Sequence, residues 1–333
     1  MHPLQNSRRD FLRRGTVLTA LLSLGSSRPA AAQAAPGALR ILCSGPAGSI
    51  PDIVARRYAE QLSARHSGGA VVDNRAGAAG QIAVAALKQA PADGSTILLA
   101  QGAIATVYPT LYPKLAYDPA VDLKPVSLAA EATLALAVGP AVPDNVVSLR
   151  DFVEWTRRNP TLANFGSPGI GTLPHLLGAV FFQEAKVESQ HVVYAGGPPA
   201  MVDLMGGRLA ALVLPEGLLR QHHASGKLRV LATSGATRSA YMPEVPTFAE
   251  QGFPGLVMRE WFAFFMPGAT PAPVVNGASQ SILQAAAHAP LIAALGEAGM
   301  AAVGSTPAAL AERIAVEQRY WQGVMRSTGI RAE

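Results

Sequence analysis

The sequence predicts an α/β protein of two lobes, each a sheet flanked by helices, with a ligand cleft between them. Short apolar runs that end in Gly or Pro and lead into helical patterns recur along the chain: "LRILCSGP", "GSTILLAQGA", "LALAVGP", "LANFGSPG", "AALVLPEG" and "LRVLATSG". Strands alternating with helices point to open sheets, in which ligands sit beyond the carboxyl ends of strands. About 300 residues follow the N-terminal leader, more than one compact lobe usually holds, and 49% of the chain is apolar. Two stretches, "LALAVGPAVP" (134–143) and "REWFAFFMPGATPAP" (259–273), read as crossings, so the chain leaves one lobe, builds a second and returns.

The leader comes first. "SRRDFLRRG", Ser7 to Gly15, is a twin-arginine pattern followed by the apolar run Thr16 to Leu24 and by "RPAAAQAA", with small-residue cleavage sites after Ala32 or Ala34. The apolar run is about half of the ~20 residues that cross a bilayer, which reads as an exported, cleaved signal (1–34) and not an anchor. Removing it takes away five arginines and Asp10, so the formal net charge falls from +5 to +1. A nucleic-acid partner thereby loses its support in composition.

Arg40 to Cys43 is predicted as a strand, Ser44 to Pro51 as a Gly- and Ser-rich turn, and Asp52 to Leu62 as a helix. First-turn amides lack intrahelical partners and the helix dipole adds about half a positive charge, so this turn has the geometry of an anion site. Cys43, the single cysteine, excludes an intrachain disulfide and reads as a small buried strand residue. Further helices are expected over 81–89, 149–159 with Ser148 as N-cap, 173–185, 198–205, 275–287, and 307–326 with Thr306 as N-cap. Gly77 and Gly80 allow close backbone approach, and "QGAIATVYP" offers a loop over the cleft.

"SPGIGTLPH", Ser167 to His175, repeats the logic of the first turn. Thr172 reads either as N-cap or as a hydroxyl donor to a ligand, and His175 either as a neutral imidazole that orients the loop or as a ligand contact, not as a catalytic group. Tyr194 stacks on or donates to a ligand, or else sits at the core edge. The motifs of serine hydrolases, zinc proteases and P-loop enzymes are missing, and the Gly run at 166–171 lacks the dinucleotide-binding order. The histidines show no ligand spacing, so neither a metal nor a cofactor is expected.

Together the motifs resemble the tripartite tricarboxylate transporter receptor family, the Bug receptors, from about Leu39 to Trp321. They are "GPAGSIPDIVARRYAEQL", "VVDNRAGAAGQIAVAALKQAPADGSTILLA", "YPTLYPKLAYDP", "FGSPGIGTLPHL", "VVYAGGPPAMVDLMGGRL", "SGKLRVLATSGATRSAYMPEVPTFAEQGFPG" and "EWFAFFMPGATP". The resemblance implies a two-lobed fold of the periplasmic binding protein type, type II-like, with lobe 1 over 35–136 and 260–333 and lobe 2 over 137–259. It implies a monomer in the periplasm that closes over a small organic carboxylate and passes it to membrane transporter subunits. The ligand is expected to be held by Ala47, Gly48 and Ser49 of the first turn and by Ser167, Gly171 and Thr172 of the second. Gln101, Gly102, Ala103, Tyr194, Gly197 and Glu216 are expected to shape the rest of the pocket, with Asp52 and His175 close by.

The sequence also departs from the family. Cys43-Ser44 stands where Pro-Phe is common, Ala47 to Asp52 replaces Gly-Gly-Ser-Thr-Asp, Ala195 replaces a lysine and Ala210 an acid. These changes make the rim less polar, and Glu216 is placed to repel a second carboxylate or to bind an amine. A sensor subunit for a signalling receptor, and a secreted enzyme using Asp52, His175 or Glu216, are the alternative functions; the sequence shows no paired acid–base set for the latter.

Overall fold

The computed structural model describes residues 37–328 and residue 330. The expected leader and its cleavage sites lie outside the described residues. The strands among them are β1 (Leu39–Cys43), β2 (Ala70–Asn74), β3 (Thr96–Gln101), β4 (Leu123–Val138), β5 (Asn164–Ser167), β6 (Gln190–Val193), β7 (Ala211–Pro215), β8 (Arg229–Thr233), β9 (Arg259–Pro267) and β10 (Met300–Ala302).

They form two sheets that share β4. In the first, of order β2-β1-β3-β9-β4-β10, β1 is parallel to β2 and β3, and β9 runs antiparallel between β3 and β4. In the second, β5 is parallel to β6 and β7, and the end of β4 lies antiparallel between β7 and β8. The pairing of β4 changes from Thr133↔Arg259 to Leu134↔Pro215 within one step, so this strand carries the chain from sheet to sheet. Its 16 residues were legible only in part, because Pro125 and the alanine-rich middle give no period-2 signal.

Helices cover both sheets, and their ends show why they start where they do. Ser148 accepts from the Asp151 N–H while the Asp151 carboxylate accepts from the Ser148 N–H, the reciprocal capping expected for the helix Leu149–Arg158. Thr306 likewise accepts from the Ala309 N–H at the start of Pro307–Thr328. The first helix begins at Ile50, two residues earlier than expected, because Pro51 at its first turn needs no N–H partner. Buried Val54, Ala55, Tyr58 and Leu62 pack it on the first sheet against Ile41, Leu99 and Phe264. Cys43 is fully buried in β1, and burial pushes its thiol up to about 12.

Candidate functional site

The carboxyl ends of β1, β3, β5, β6 and β7 deliver their turns to one cavity of about 400 Å³. This is the size of a small-metabolite pocket. Glycine and small residues line it from the turns after β1, β2, β5 and β6, and Ile50, Ile170, Val193, Leu214, Leu218 and Phe262 make most of the walls apolar. None of its lining residues, all described, is Lys, Arg or His.

Each turn is held by bonds of its own. In the first, the Ser49 hydroxyl donates to the Pro46 carbonyl (2.6 Å), the Asn74 amide donates to the Gly45 carbonyl (2.9 Å), and the Gly48 N–H donates to Asp52 (2.9 Å). The backbone N–H groups of Gly45, Ala47 and Ile50 have no hydrogen-bond partner among the described residues. Gly45 and Ile50 line the cavity.

The loop Ala76–Gly80 is strained: Ala78 and Ala79 adopt φ of +46° and +51°, a region that costs residues with a Cβ. Two donors hold it there, since the Ala79 carbonyl accepts from Gln101 Nε2 (2.6 Å) and from the Tyr108 hydroxyl (2.8 Å). Gln101 in turn accepts from the Ser44 hydroxyl through Oε1 (2.8 Å), so it couples the turns after β1 and β2.

In the turn after β5, the Thr172 hydroxyl donates to the Gly169 carbonyl (2.8 Å), and the Gly171 N–H donates to His175 Nδ1 (3.1 Å). His175 stacks on His191, with ring centroids 4.1 Å apart, and His191 Nε2 bonds the Ser167 hydroxyl at 2.7 Å. Burial holds both imidazoles neutral, His175 at about 3, with His191 adding to the effect, and His191 at about 4. Across the cavity the Tyr112 hydroxyl donates to the Ile170 carbonyl (3.0 Å), a direct bond from the first sheet's side to the second's.

Of the residues expected from sequence, the structure brings Ser49, Gln101, Thr172, Tyr194 and Gly197 to the cavity wall. Ala47, Gly48, Asp52, Gly102, Ala103, Ser167, Gly171, His175 and Glu216 do not line it. The reasons are structural. Asp52 is spent on Gly48, Arg56 and Asn74; burial alone would raise its carboxyl, but these three donors outweigh burial and hold it below the usual range. A Cβ on Gly48 would meet no protein atom within 4 Å, and its φ of +78° is a conformation that favours glycine there. Gly102 is instead packed under the Trp261 ring, and Ala103 is buried in a short helix. Thr172 is at the N-cap position but donates to Gly169 in place of capping. Tyr194 lines the wall while its hydroxyl donates to Asp203 (2.8 Å), and burial followed by that carboxylate pushes its phenol up to about 12. Glu216 is buried away from the cavity, accepts from the Ser239 hydroxyl (2.9 Å), and is raised by burial; its other oxygen has no partner among the described residues.

Glu260 and Phe262, Tyr112, Ser44 and the Ala76–Ala79 segment are cavity residues that the sequence-level expectation did not name as contacts. For Glu260 the available signal was an acid two residues from Phe262 at the head of a strand that is apolar from Trp261 on, where i and i+2 share a face. Among the described residues no cluster of His, Cys, Asp and Glu is placed to hold a metal, and no helix is long and apolar enough to cross a membrane.

Two sheets joined by a shared strand, with a cavity between the turns of both, define the chain as a two-lobed binding protein. It belongs to the tripartite tricarboxylate transporter receptor family: the model described as "Tripartite tricarboxylate transporter family receptor" matches residues 54–330. The chain is 32% identical to Protein BugT of Bordetella pertussis over 311 residues, covering 93% of this chain and 95% of that one. Among solved structures it is similar to one titled "Structure of a periplasmic transporter" (TM-score 0.82, 31% identity, 88% of this chain and 98% of that one). It is also similar to Rpa4515 of R. palustris with adipate (TM-score 0.82, 28% identity, covering 88% and 98%).

Proposed function

We propose that the protein is a periplasmic receptor that captures a small organic carboxylate between its lobes and delivers it to tripartite membrane transporter subunits. The observation that carries this reading is a cavity whose turns present unpartnered backbone N–H groups of Gly45 and Ile50, in a wall without a cationic side chain. Amides at a helix start hold a carboxylate without a lysine or arginine clamp. The adipate bound by the R. palustris relative supports the ligand class. In this reading residues 1–34 are an export signal that is cleaved, and the protein acts as a monomer. Lobe 1 is 35–136 with 260–333, lobe 2 is 137–259, and the ligand drives closure only by binding the closed form better. Ser49, Gln101, Thr172, Tyr194 and Gly197 are the contacts retained from the expected set.

The test is a thermal-shift panel of mono-, di- and tricarboxylates, amino acids and aromatic acids on the mature protein, with mass spectrometry of any co-purified compound. A ligand at 100 times its dissociation constant adds about 2.7 kcal/mol, enough for a shift of several degrees. A shift with one carboxylate class and no turnover of that compound is the expected result. Silence toward every carboxylate, or conversion of the compound, refutes the reading.

A further inference from the structure

Glu260 is the one carboxyl on the cavity wall, and it is 7% exposed. It lies on β9 where the strand faces alternate: Glu260 and Phe262 line the cavity, while Trp261 points away and donates from Nε1 to Glu317 at 2.9 Å. No hydrogen bond or ion pair reaches its carboxyl among the described residues. The charges nearest in sequence are committed elsewhere. Arg259 pairs with Glu131, Arg313 pairs with Glu131 and Glu317, and β4 sets the uncharged Ala132 opposite Glu260. From the elements packed around it, the titratable group that feels its charge is the buried Tyr108 hydroxyl, and the wall otherwise holds Tyr112 and Tyr194. Burial alone, with no opposing charge, pushes the Glu260 carboxyl up to about 8.

A carboxyl in this position can meet a ligand in two ways. Ionised, it would attract an ammonium; neutral, it donates a hydrogen bond. The wall around it, mostly apolar and with no cation among its lining residues, favours the neutral form. Four carbonyl oxygens of its turns are spent internally, as Pro46 accepts from Ser49, Ala79 from Gln101 and Tyr108, Gly169 from Thr172, and Ile170 from Tyr112. Unspent groups there include the N–H donors of Gly45 and Ile50. An ammonium needs several acceptors and an oxygen-rich ligand needs donors.

We propose that Glu260 is a specificity residue which, as a neutral carboxyl, donates a hydrogen bond to a second oxygen acceptor of the ligand, so that the cavity selects carboxylates bearing a carbonyl or carboxyl group at the far end. This rests on the carboxylate-receptor reading. It parallels known sites in which an apolar environment keeps an acid protonated so that it can donate. When the ligand's second group is itself a carboxylate, binding takes up the proton that the carboxyl–carboxylate pair shares.

The test uses calorimetry on the mature protein with adipate, 6-aminohexanoate and hexanoate, and with succinate, 4-aminobutanoate and butanoate, in buffers of different ionisation heat. A ¹³C-carboxyl titration, assigned by its loss in Glu260→Gln, locates the Glu260 proton directly. The expected result is titration near 8 and tighter binding of a dicarboxylate than of its amino- and methyl-ended counterparts, with proton uptake approaching one above pH 8. Its affinity should fall about tenfold per pH unit over that range. Glu260→Gln, neutral and still a donor, should flatten the pH dependence, and Glu260→Ala should erase the preference for the dicarboxylate over the monocarboxylate. Tighter binding of the amino acids, binding of all three end groups alike, absence of proton uptake, or titration near 4 to 5 each overturns the inference and leaves the receptor reading standing. Silence toward all six compounds in wild type overturns the inference, and the receptor reading falls with it only where the thermal-shift panel is silent toward every carboxylate as well.

Discussion

Replacing His175 should change how stability responds to acid, and the size of the change follows from its burial. In the fold His175 Nδ1 accepts from the Gly171 N–H, and burial between Phe165, His191 and the loop keeps the ring neutral down to about 3. In the unfolded chain the same imidazole takes a proton at about 6.5. A group whose folded value is depressed in this way destabilises the fold as pH falls below the unfolded value. Between pH 7 and pH 5 the loss is about 2 kcal/mol for His175, whatever its folded value as long as that lies well below 5. His191 acts in the same direction. Glu260 acts in the opposite one: raised from 4.5 to about 8, its folded form holds a proton that the unfolded chain releases, so acidification over the same interval gains about 2–3 kcal/mol. The wild-type slope therefore sums opposing contributions, and the informative quantity is a difference between variants. His175→Asn keeps an acceptor for the Gly171 N–H and removes the titration. Urea unfolding followed by circular dichroism at both pH values should show that His175→Asn gains about 2 kcal/mol on the wild type when the pH drops from 7 to 5. Equal differences between the two proteins at pH 7 and pH 5 would refute the assignment of a buried neutral His175.

Two further outcomes follow from the turns. Asp52→Ala strips a carboxylate from Gly48, Asn74 and Arg56 and should cost about 2–3 kcal/mol in urea unfolding at pH 7. Because its carboxyl is held below 3.8 in the fold, the difference should persist at pH 5 and fade only as the pH falls through that lower value; a loss under about 0.5 kcal/mol at pH 7 would show that the network does not hold the turn. Tyr112→Phe removes the hydroxyl that bonds the Ile170 carbonyl across the cavity, worth about 0.5–1.5 kcal/mol. Affinity for the ligand found in the thermal panel should weaken by about 2- to 10-fold, and an unaltered affinity would remove this bond from closure.

The parts of the fold that the sequence made legible are those set by local chemistry. The Ser148–Asp151 capping pair, Thr306 ahead of its helix, and the apolar strand running into Ser44–Ser49 are each decided within a few residues, and each stands where the residues place it. Roles decided by distant partners were not legible. Asp52 sits in the first turn of a helix beside a Gly-rich loop, a position equally suited to shaping a ligand site or closing the loop on itself. Only the arrival of Asn74, 22 residues away, together with Arg56 one helical turn on, commits it to the loop. Gly171 and His175 are four residues apart, but the ring that accepts from Gly171 is also stacked on His191 from a separate strand, which no local pattern announces. Glu260 was obscured for the converse reason. "REWFAFFMP" reads as core, and from Glu260 on it is buried, with Glu260 and Phe262 its residues that line the cavity.

The buried histidine and the buried acid set different kinds of limit on the pH range in which this receptor works. Folded His175 keeps its proton off until about 3, so over the mildly acidic range the protein does not lose its second turn by direct protonation; it loses it through the unfolded state, which binds the proton first. The acid limit therefore belongs to stability, and a bound ligand extends it by mass action. The alkaline limit belongs to the site. As pH rises through about 8, Glu260 ionises inside a wall with no cation among its lining residues, and the resulting charge opposes an anionic ligand even while the fold persists. Ligand should thus rescue the protein from acid and be expelled by alkali. A receptor whose affinity falls off on the acid side before its fold does would contradict this division.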